Sequence, residues 1–387
     1  CGFMGEIVDV DLSTGRVSHF PVSDEDYAAF LGGKGLGARI LYDIVPRGAD
    51  PLGPDNAMVF TTGVLNGSGA PCSSRFNVST KNVLTHGIAS ANSGGTFGTY
   101  LKWAGFDGLV VRGESDKPVW IEILNGEVKI HDARHLWGMD TKAADSSLPK
   151  GVSKLVIGPA GENQVRYASI MNGHRVLARC GVGAVMGSKK VKAITAGGCQ
   201  RIPIHDREGF AKAVAAWTKT LQNHPITGTQ LPLYGTAALA NLTNATHTFA
   251  TKNFQSGHIE NADALGGETM AETILKKTGA CRSCPIRCAR EQVEVDGKIM
   301  KGPEFETIGL MGANLGHTDL KMVTRLSEQC DLLGMDTISA GGTLGFAMEL
   351  SERGMLESDL SFGKTDNLIE TVQDIAHRRG LGDELAE

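Results

Sequence analysis

Hydrophobic and polar residues alternate along much of the first half of the chain, up to about residue 203. The stretch "GEIVDVDLSTGRVSHFPV" alternates on both sides of a Ser-Thr-Gly turn, and "VWIEILNGEVKIHDA" alternates around Asn125-Gly126. A period of two is typical of β-strands, and Asn-Gly favours a hairpin because both residues accept a positive φ. Two patches, "KGLGARILYDIV" and "FGTYLKWAG", are helical instead. The first half is therefore predicted to be mixed and rich in strands.

The period changes to that of helices after "RIPIHDREGF", where apolar residues recur at i, i+3 and i+4. The helical segments are "REGFAKAVAAWTKTLQ", "GETMAETILKK", "DLKMVTRLSEQCDLLG", "TISAGGTLGFAMELSERG" and "NLIETVQDIAHRRG". We therefore predict an α+β protein, with a β-sheet-rich domain over residues 1–203 followed by an α-helical domain over residues 204–387.

Composition and charge exclude several classes of function. The formal net charge of -5 leaves no basic surplus to neutralise a phosphate backbone, so we expect no nucleic-acid partner. No apolar run is long enough for a membrane span, and no signal-peptide layout opens the chain, so a cytoplasmic location is expected. Eight cysteines in 387 residues are too few for a disulfide scaffold, which favours reduced thiols and a metal.

Three of these cysteines, Cys281, Cys284 and Cys288, lie in "CRSCPIRC". A C-x2-C-x3-C run with a proline inside can direct its sulfurs into one small volume, as iron–sulfur clusters require. A zinc knuckle is the main alternative, but no second cysteine arm is present. The second alternative is that the three cysteines are buried structural residues without a metal. The next thiol along the chain, Cys330, lies in a helical pattern and is equally compatible with a place in the core.

Glycine-bearing stretches recur in the first half: "GVLNGSGAPCSSRFNV", "ANSGGTFG", "IGPAGENQV" and "GHRVLARCGVGAVMGSKK". Backbone N–H groups in such turns form concave anion sites, and an arginine fork pairs phosphate through two bonds. Tight packing in a glycine-rich sheet is the alternative for each stretch. The segment "GGKGLG" resembles a dinucleotide fingerprint only superficially, because no strand-turn-helix unit frames it.

Two pairs of acidic residues are candidate chemical groups. Glu304 and Glu306 lie in "GPEFETIG"; a carboxylate pair at this spacing is usually a solvated surface, and the apolar and glycine neighbours raise the alternative of a buried acid with a raised pKa. Asp331 and Asp336 flank "LLGM" at the end of a predicted helix, and the alternative for them is helix capping.

The motifs taken together resemble the tungsten-containing aldehyde:ferredoxin oxidoreductase family. "ANSGGTFG", "IGPAGEN", "GVGAVMGSK", "KNFQSG", "CRSCPIRC", "GPEFE", "GANLG" and "CDLLGMDTISAGG" occur in the order and spacing of that family. The resemblance implies that the first domain binds a bis-pyranopterin cofactor of tungsten, or of molybdenum in some relatives, and that helical domains cover it. Because two pterins hold the metal, the protein need not supply a ligand to it.

The resemblance also implies roles for individual residues. Glu306 matches the acid beside the metal and is the expected catalytic group. Cys281, Cys284 and Cys288 are the expected ligands of a [4Fe–4S] cluster. A magnesium ion bridging the pterin phosphates would be held by the backbone of Asn92 and Cys180. The positions implied for cofactor binding are Arg75, Asn92, Ser93, Gly94, Gly95, Arg179, Cys180, Gly181, Asp331, Gly334, Met335 and Asp336.

The activity implied is the oxidation of a small aldehyde to a carboxylic acid, with electrons passing through the cluster to ferredoxin or an iron–sulfur partner subunit. One alternative is an aromatic acyl-CoA reductase subunit of the same family, and another is a zinc-knuckle scaffold without the cofactor. The fourth cluster ligand and an active-site histidine of the family lie in a third domain absent from residues 1–387, so we expect a longer protein. Arg325 and Glu328 replace a motif that bridges subunits through iron in some relatives, which leaves a homo-oligomer or a hetero-complex open.

Overall fold

The computed structural model describes residues 2–387, which form two compact units. The first unit comprises the chain up to residue 217 together with Cys281–Cys284 and Leu332–Met335. The second comprises Thr218–Ala280, Pro285–Asp331 and Asp336–Glu387. The domain boundary predicted after residue 203 stays a prediction.

A six-stranded sheet contains the first hairpin of the chain. Its strands are β1 (Ile7–Asp11), β2 (Arg16–Phe20), β3 (Met58–Thr62), β4 (Phe76–Lys81), β5 (Ile88–Ser93) and β6 (Gly108–Arg112). Their order is β2-β1-β6-β3-β4-β5, with only β1 and β6 parallel. The predicted hairpin at the start of the chain is confirmed, because β1 and β2 pair antiparallel.

A second six-stranded sheet follows in the same unit. Its strands are β7 (Val119–Leu124), β8 (Glu127–Asp132), β9 (Ser153–Val156), β10 (Ile170–Asn172), β11 (Arg175–Leu177) and β12 (Val191–Gly197), in the order β11-β10-β9-β12-β7-β8. Asn125 and Gly126 have φ values of 50° and 88°, so the turn between β7 and β8 has the left-handed residues that its sequence predicts.

The helices of the first unit pack on these sheets. They are α1 (Asp24–Phe30), α2 (Gly33–Ile44), α3 (Phe97–Trp103), α4 (Thr141–Ser147), α5 (Pro159–Glu162) and α6 (Val182–Ser188). The predicted helical patches correspond to α2 and α3. Helix α2 covers β3 and β4, while α3 contacts β3 of the first sheet and β12 of the second. Helix α7 (Arg207–Asn223) then leads the chain out of the first unit.

The second unit is mainly helical. Its helices are α8 (Leu231–Tyr234), α9 (Leu239–Ala245), α10 (Gly267–Thr273), α11 (Phe305–Met311), α12 (Leu320–Leu333), α13 (Thr337–Glu352), α14 (Leu368–His377) and α15 (Leu381–Leu385). The α+β fold class, strand-rich first and helical second, is confirmed. Among residues 2–387, no helix combines the length and apolar character needed to cross a bilayer.

One predicted helix is partly wrong. The segment "GETMAETILKK" leaves its helix after Thr273, and its last residues begin a three-stranded antiparallel sheet of β13 (Leu275–Gly279), β14 (Ala289–Val295) and β15 (Lys298–Met300). The tight turn between β14 and β15 uses Asp296 and Gly297, with φ values of 51° and 75°. Pairing with β14 overrides the local helical preference of this segment. The cysteine run lies between β13 and β14.

Candidate functional site

An exposed arginine and an exposed asparagine meet where β4 begins. The antiparallel register places Phe76 opposite Ser93 and Asn77 opposite Asn92, which brings Arg75 beside Asn92. The Arg75 guanidinium donates to the Asn92 side-chain oxygen and, over 3.3 Å, to the Asn92 backbone oxygen. A guanidinium has five N–H donors, so Arg75 is oriented here and still has capacity for an anion.

A tight turn follows β5 and begins α3. Gly95 has a φ of 92°, in the left-handed region that favours glycine. The side-chain oxygen of Asn172 accepts the N–H groups of Thr96 at 3.0 Å and Phe97 at 3.2 Å, and it occupies the space a Cβ on Gly95 would need. The buried Ser93 hydroxyl donates to the backbone within the same turn. Asn172 fixes this turn, and no local motif in the sequence predicts that role.

The turn also touches a cysteine of the predicted cluster. A Cβ on Gly94 would lie 2.6 Å from the Cys281 sulfur, far inside van der Waals contact. Only glycine allows this approach between backbone and sulfur. The structure therefore brings one predicted cofactor-binding residue and one predicted cluster ligand into direct contact within the first unit.

The first two cysteines of the run are held by a turn. The Cys284 N–H donates to the Cys281 oxygen over 3.1 Å, and Ser283 between them has a φ of 56°. The Arg282 guanidinium stacks over the Trp103 ring, 4.9 Å from its centroid. A cation–π contact of this kind anchors the turn to α3.

A further thiol that sequence reasoning missed lies beside this turn. The Cys72 sulfur is 3.7 Å from the Cys284 sulfur, and the Cys72 N–H donates to the Ser283 oxygen over 3.3 Å. Cys72 lies in "GAPCSSR", three residues before Arg75. Its separation of 212 positions from Cys284 explains why spacing alone could not reveal the pair.

The third cysteine of the run, Cys288, belongs to the second unit. Its neighbour Arg290 is 3% exposed and donates to the backbone oxygens of Leu231, Pro232 and Arg287. Burial lowers the pKa of Arg290, while attraction to the Cys288 thiolate opposes that shift. Arg290 thus ties the loop before Cys288 to the start of α8.

Cluster binding by the three cysteines stays a prediction. Within residues 2–387, no three His, Cys, Asp or Glu side chains converge in a way that could hold a metal ion. Cys281, Cys284 and Cys288 are each half-buried. Cys330, by contrast, is fully buried in α12, and burial raises the pKa of its thiol well above the usual value. The interpretation of Cys330 as a core residue is the one that the structure supports.

The second predicted phosphate-binding segment packs against the first. Residues Arg179–Gly181 form a 3-10 turn that contacts β5, the strand that ends in the Asn92 turn. Cys180 is half-buried with a φ of 71°, which is unusual for a residue other than glycine, and Arg179 is exposed. The two segments that the sequence separates by some eighty positions are neighbours in the fold.

The predicted "D-x-x-G-M-D" motif has well-defined structural contacts. The Gly334 oxygen accepts the Ser169 N–H over 2.8 Å, and Met335 forms an antiparallel bridge with Ala168. Asp331 forms an ion pair with Lys301 at 2.9 Å. These bonds hold each residue in place in its own unit.

Asp336 caps a helix, which the sequence analysis gave as the alternative to cofactor binding. Its carboxylate accepts the N–H groups of Ile338 at 3.1 Å and Ser339 at 3.2 Å, and the Ser339 hydroxyl donates to it over 2.6 Å. The residue is 1% exposed. Asp336 is therefore the N-cap of α13.

The expectation that Glu306 is buried is wrong. Glu304 is the N-cap residue of α11, and Glu306 stands in the first turn of that helix with its side chain exposed. The buried face of α11 is taken instead by Thr307, Ile308 and Met311. Helical spacing separates Glu306 from those neighbours, which a reading of "GPEFETIG" as extended chain does not anticipate.

Two family models match most of the chain. The model described as aldehyde ferredoxin oxidoreductase, N-terminal domain, matches residues 7–198, and the one described as domains 2 and 3 of the same enzyme matches residues 212–387. The chain belongs to the aldehyde ferredoxin oxidoreductase family. The family resemblance inferred from the motifs is thereby confirmed.

Individual members of the aldehyde ferredoxin oxidoreductase family align with the entire chain. A tungsten-containing aldehyde ferredoxin oxidoreductase of Thermococcus kodakarensis is 44% identical over 399 residues, and one of Pyrococcus furiosus is 41% identical over 400. An aliphatic sulfonate oxidoreductase, WOR-like subunit, of Pyrococcus furiosus is 30% identical over 417. Each alignment covers 100% of this chain and 66% of the relative, so the chain spans slightly less than two thirds of their length.

A solved structure has the same fold. It is the active site complex BamBC of benzoyl coenzyme A reductase in complex with 1,5 Dienoyl-CoA, with a TM-score of 0.86 and 28% identity. The match covers 100% of this chain and 62% of that chain. The architecture of the aldehyde ferredoxin oxidoreductase family described above is therefore shared with an experimentally determined relative.

Proposed function

We propose that the full-length protein is a tungsten or molybdenum bis-pyranopterin enzyme that oxidises aldehydes to carboxylic acids. Electrons leave through a [4Fe–4S] cluster to ferredoxin or to an iron–sulfur partner subunit. Support comes from the identities of 44% and 41% to proteins named as tungsten-containing aldehyde ferredoxin oxidoreductases. When bound, the metal and its pterins supply the two-electron redox chemistry, and the protein supplies position and electrostatics.

The residues around β5 fit the phosphate end of such a cofactor. Arg75 offers an oriented, exposed guanidinium, and it lies beside the exposed Asn92 at the start of the turn at residues 92–95. Arg179, Cys180 and Gly181 complete this surface from the adjoining turn. The backbone of Asn92 and Cys180 would hold the bridging magnesium.

The motif that begins in the last turn of α12 would contribute a second set of contacts to the pterin. Gly334 and Met335 offer backbone groups, and Asp331 and Asp336 offer carboxylates. Asp336 already caps α13 and Asp331 already pairs with Lys301, so a pterin contact would come in addition to these roles.

The contact between Gly94 and the Cys281 sulfur is the observation that carries the proposal. One residue belongs to the predicted pterin-binding turn and the other to the predicted cluster. With both groups bound, this contact would place the residues that hold the pterin next to one that holds the cluster. A structural zinc knuckle has no need of such an approach.

Glu306 is proposed as the acid–base group of the reaction. Its exposed carboxylate stands in the first turn of α11, and a carboxylate is a group that can accept a proton. Its role is to take a proton from water or substrate beside the metal. Glu304, the N-cap residue of the same helix, is assigned no such role.

The test uses the full-length protein purified without oxygen. Metal analysis is expected to find tungsten or molybdenum together with iron, and a panel of aldehydes should reduce a low-potential dye. A protein that contains zinc as its sole metal and shows no iron–sulfur absorption would support the scaffold and refute the enzyme.

The structural likeness to the benzoyl coenzyme A reductase complex favours one second candidate, an aromatic acyl-CoA reductase subunit. The lower identity, 28% against 44%, is why the aldehyde reaction is preferred. Reductive turnover of an aromatic acyl-CoA thioester, without oxidation of any aldehyde in the panel, would reverse that preference.

A further inference from the structure

Cys72 has no role in the reaction proposed above, yet its thiol meets that of Cys284, a predicted cluster ligand. The two sulfurs are 3.7 Å apart, in van der Waals contact, and both belong to the first unit. The hydrogen bond from the Cys72 N–H to the Ser283 oxygen, 3.3 Å long, joins the two loops at the same point. The contact is therefore supported by backbone as well as by side chains.

Both thiols are open to small reagents. Cys72 is exposed and Cys284 is half-buried, whereas the thiol of Cys330 is enclosed by the core. A disulfide requires the sulfurs to approach from 3.7 Å to about 2.05 Å. Thiolate exposure and a neighbouring second thiol are the two conditions that favour reversible oxidation.

We propose that Cys72 and Cys284 form a reversible disulfide whenever Cys284 is not bound to iron. With oxidised glutathione as oxidant, one thiolate attacks the glutathione disulfide and forms a mixed disulfide, releasing one glutathione. The second cysteine then displaces the other glutathione. The two cysteines lose two electrons and two protons, and one oxidised glutathione becomes two reduced ones.

The consequence is protection of a cluster ligand. A cysteine freed by cluster loss is oxidised through sulfenic to sulfinic acid, and the second step is generally irreversible. A disulfide stops that sequence at a state that thiol reagents reverse. Cys72 thus preserves Cys284 for renewed cluster assembly. This rests on the proposed function only in treating Cys284 as an iron ligand.

The experiment starts from the full-length, iron-loaded protein incubated in air with oxidised glutathione. Samples are alkylated, digested without reductant and analysed by mass spectrometry for a linked peptide pair containing Cys72 and Cys284. We expect this pair to accumulate in step with iron loss and to disappear after dithiothreitol. The closed loop of 212 positions should also increase mobility on a non-reducing gel.

Two variants test whether the linked peptide pair depends on Cys72 in particular. Cys72→Ser should lack the linked pair and should accumulate glutathionylated or sulfinic Cys284, with reduced iron uptake after reduction. Cys199→Ser, which removes another exposed thiol of the same unit, should behave as the unchanged protein.

Iron loss that leaves both cysteines separately alkylated would overturn the proposal, as would a preferred link between Cys284 and Cys281. Different observations would refute the proposed function. Absence of tungsten and of aldehyde turnover would refute the enzyme while the linked pair still formed. A linked pair that forms at full iron content would show that Cys284 is not a ligand, and would overturn the protective role.

Discussion

The two regions predicted to bind the pterin differ in how far the fold already uses their polar groups. In the first unit, Arg75 and Asn92 are exposed and bond to each other at the start of β4. In the second, Asp336 is 1% exposed and caps α13, and Asp331 pairs with Lys301. The polar groups of the first region are exposed, whereas those of the second already stabilise the protein.

This difference separates two kinds of mutational effect. Replacing an exposed group such as Arg75 removes bonding capacity for a ligand and leaves the folded chain nearly as stable as before. Replacing a buried, hydrogen-bonded group such as Asp336 leaves N–H donors without an acceptor, so the free energy of unfolding falls whatever happens to the cofactor. Occupancy and stability must therefore be measured together at each site.

The largest effect is expected at the cluster. Cys281→Ser removes a thiolate that iron prefers to a hydroxyl, so the full-length variant should lose most of its iron and its visible iron–sulfur absorption. Cys330→Ala removes a thiol enclosed in the core and should keep the iron while losing some stability. Iron content and denaturant unfolding measure the two outcomes. Equal iron in both variants would remove Cys281 from the set of ligands.

The next effect concerns catalysis by Glu306. Glu306→Gln keeps the shape of the side chain and removes the base, so turnover should fall by roughly 10²–10⁴-fold, the usual range for losing a positioned acid–base group. Metal content and the cluster spectrum should stay unchanged. Glu304→Gln, two positions earlier, is the matched control. Near-normal turnover in the Glu306 variant would leave its carboxylate as a favourable charge at the start of α11 and nothing more.

Sequence reasoning succeeded where the signal is local. The hairpins β1–β2 and β7–β8 follow from periodicity and turn residues, and so do the predicted helices α2, α3, α7, α12, α13 and α14, because their hydrogen bonds join residues close in the chain. It failed for β13, which is a strand only because β14 pairs with it. The pairing partner, and not the segment itself, decides its conformation.

In the candidate site, too, sequence reasoning missed the contacts between residues that are distant in the chain. Family motifs predict Arg75, the turn at residues 92–95 and the cysteine run. They do not predict Asn172, which fixes the turn from 76 positions away, or Cys72, which meets Cys284 across 212 positions. The exposure of Glu306 was also missed, since burial depends on which face of α11 packs. Such contacts arise only once the chain is folded.

A smaller effect is expected on cofactor occupancy at Arg75. Arg75→Ala leaves a phosphate without its fork, and charge-assisted bonds of this kind are worth on the order of 1.5–3 kcal/mol, or roughly tenfold to 150-fold in affinity. Pterin and tungsten content should fall while unfolding stays within about 0.5 kcal/mol of the unchanged protein. The exposed Arg47, replaced by alanine, is the control. Full pterin content in the Arg75 variant would contradict its assignment.

The smallest effect is expected at Asp336, where the two roles can be separated by the choice of substitution. Asp336→Ala removes the cap of α13 and should lower the free energy of unfolding by about 1–2 kcal/mol, because the N–H groups of Ile338 and Ser339 lose their acceptor. Asp336→Asn keeps an oxygen that caps about as well as aspartate, so its stability should change by only a few tenths of a kcal/mol.

The asparagine variant then reports the pterin contact alone, because it differs from the unchanged protein mainly in charge. Denaturant unfolding and pterin content, measured on the same full-length preparations, give the two quantities. A loss of pterin in Asp336→Asn without loss of stability would show that the carboxylate serves the cofactor as well as the helix. Unchanged pterin in Asp336→Asn, with lowered stability in Asp336→Ala, would leave Asp336 as a cap and remove it from the cofactor site. That second outcome would confine the cofactor contacts of the motif to the backbone of Gly334 and Met335 and to Asp331.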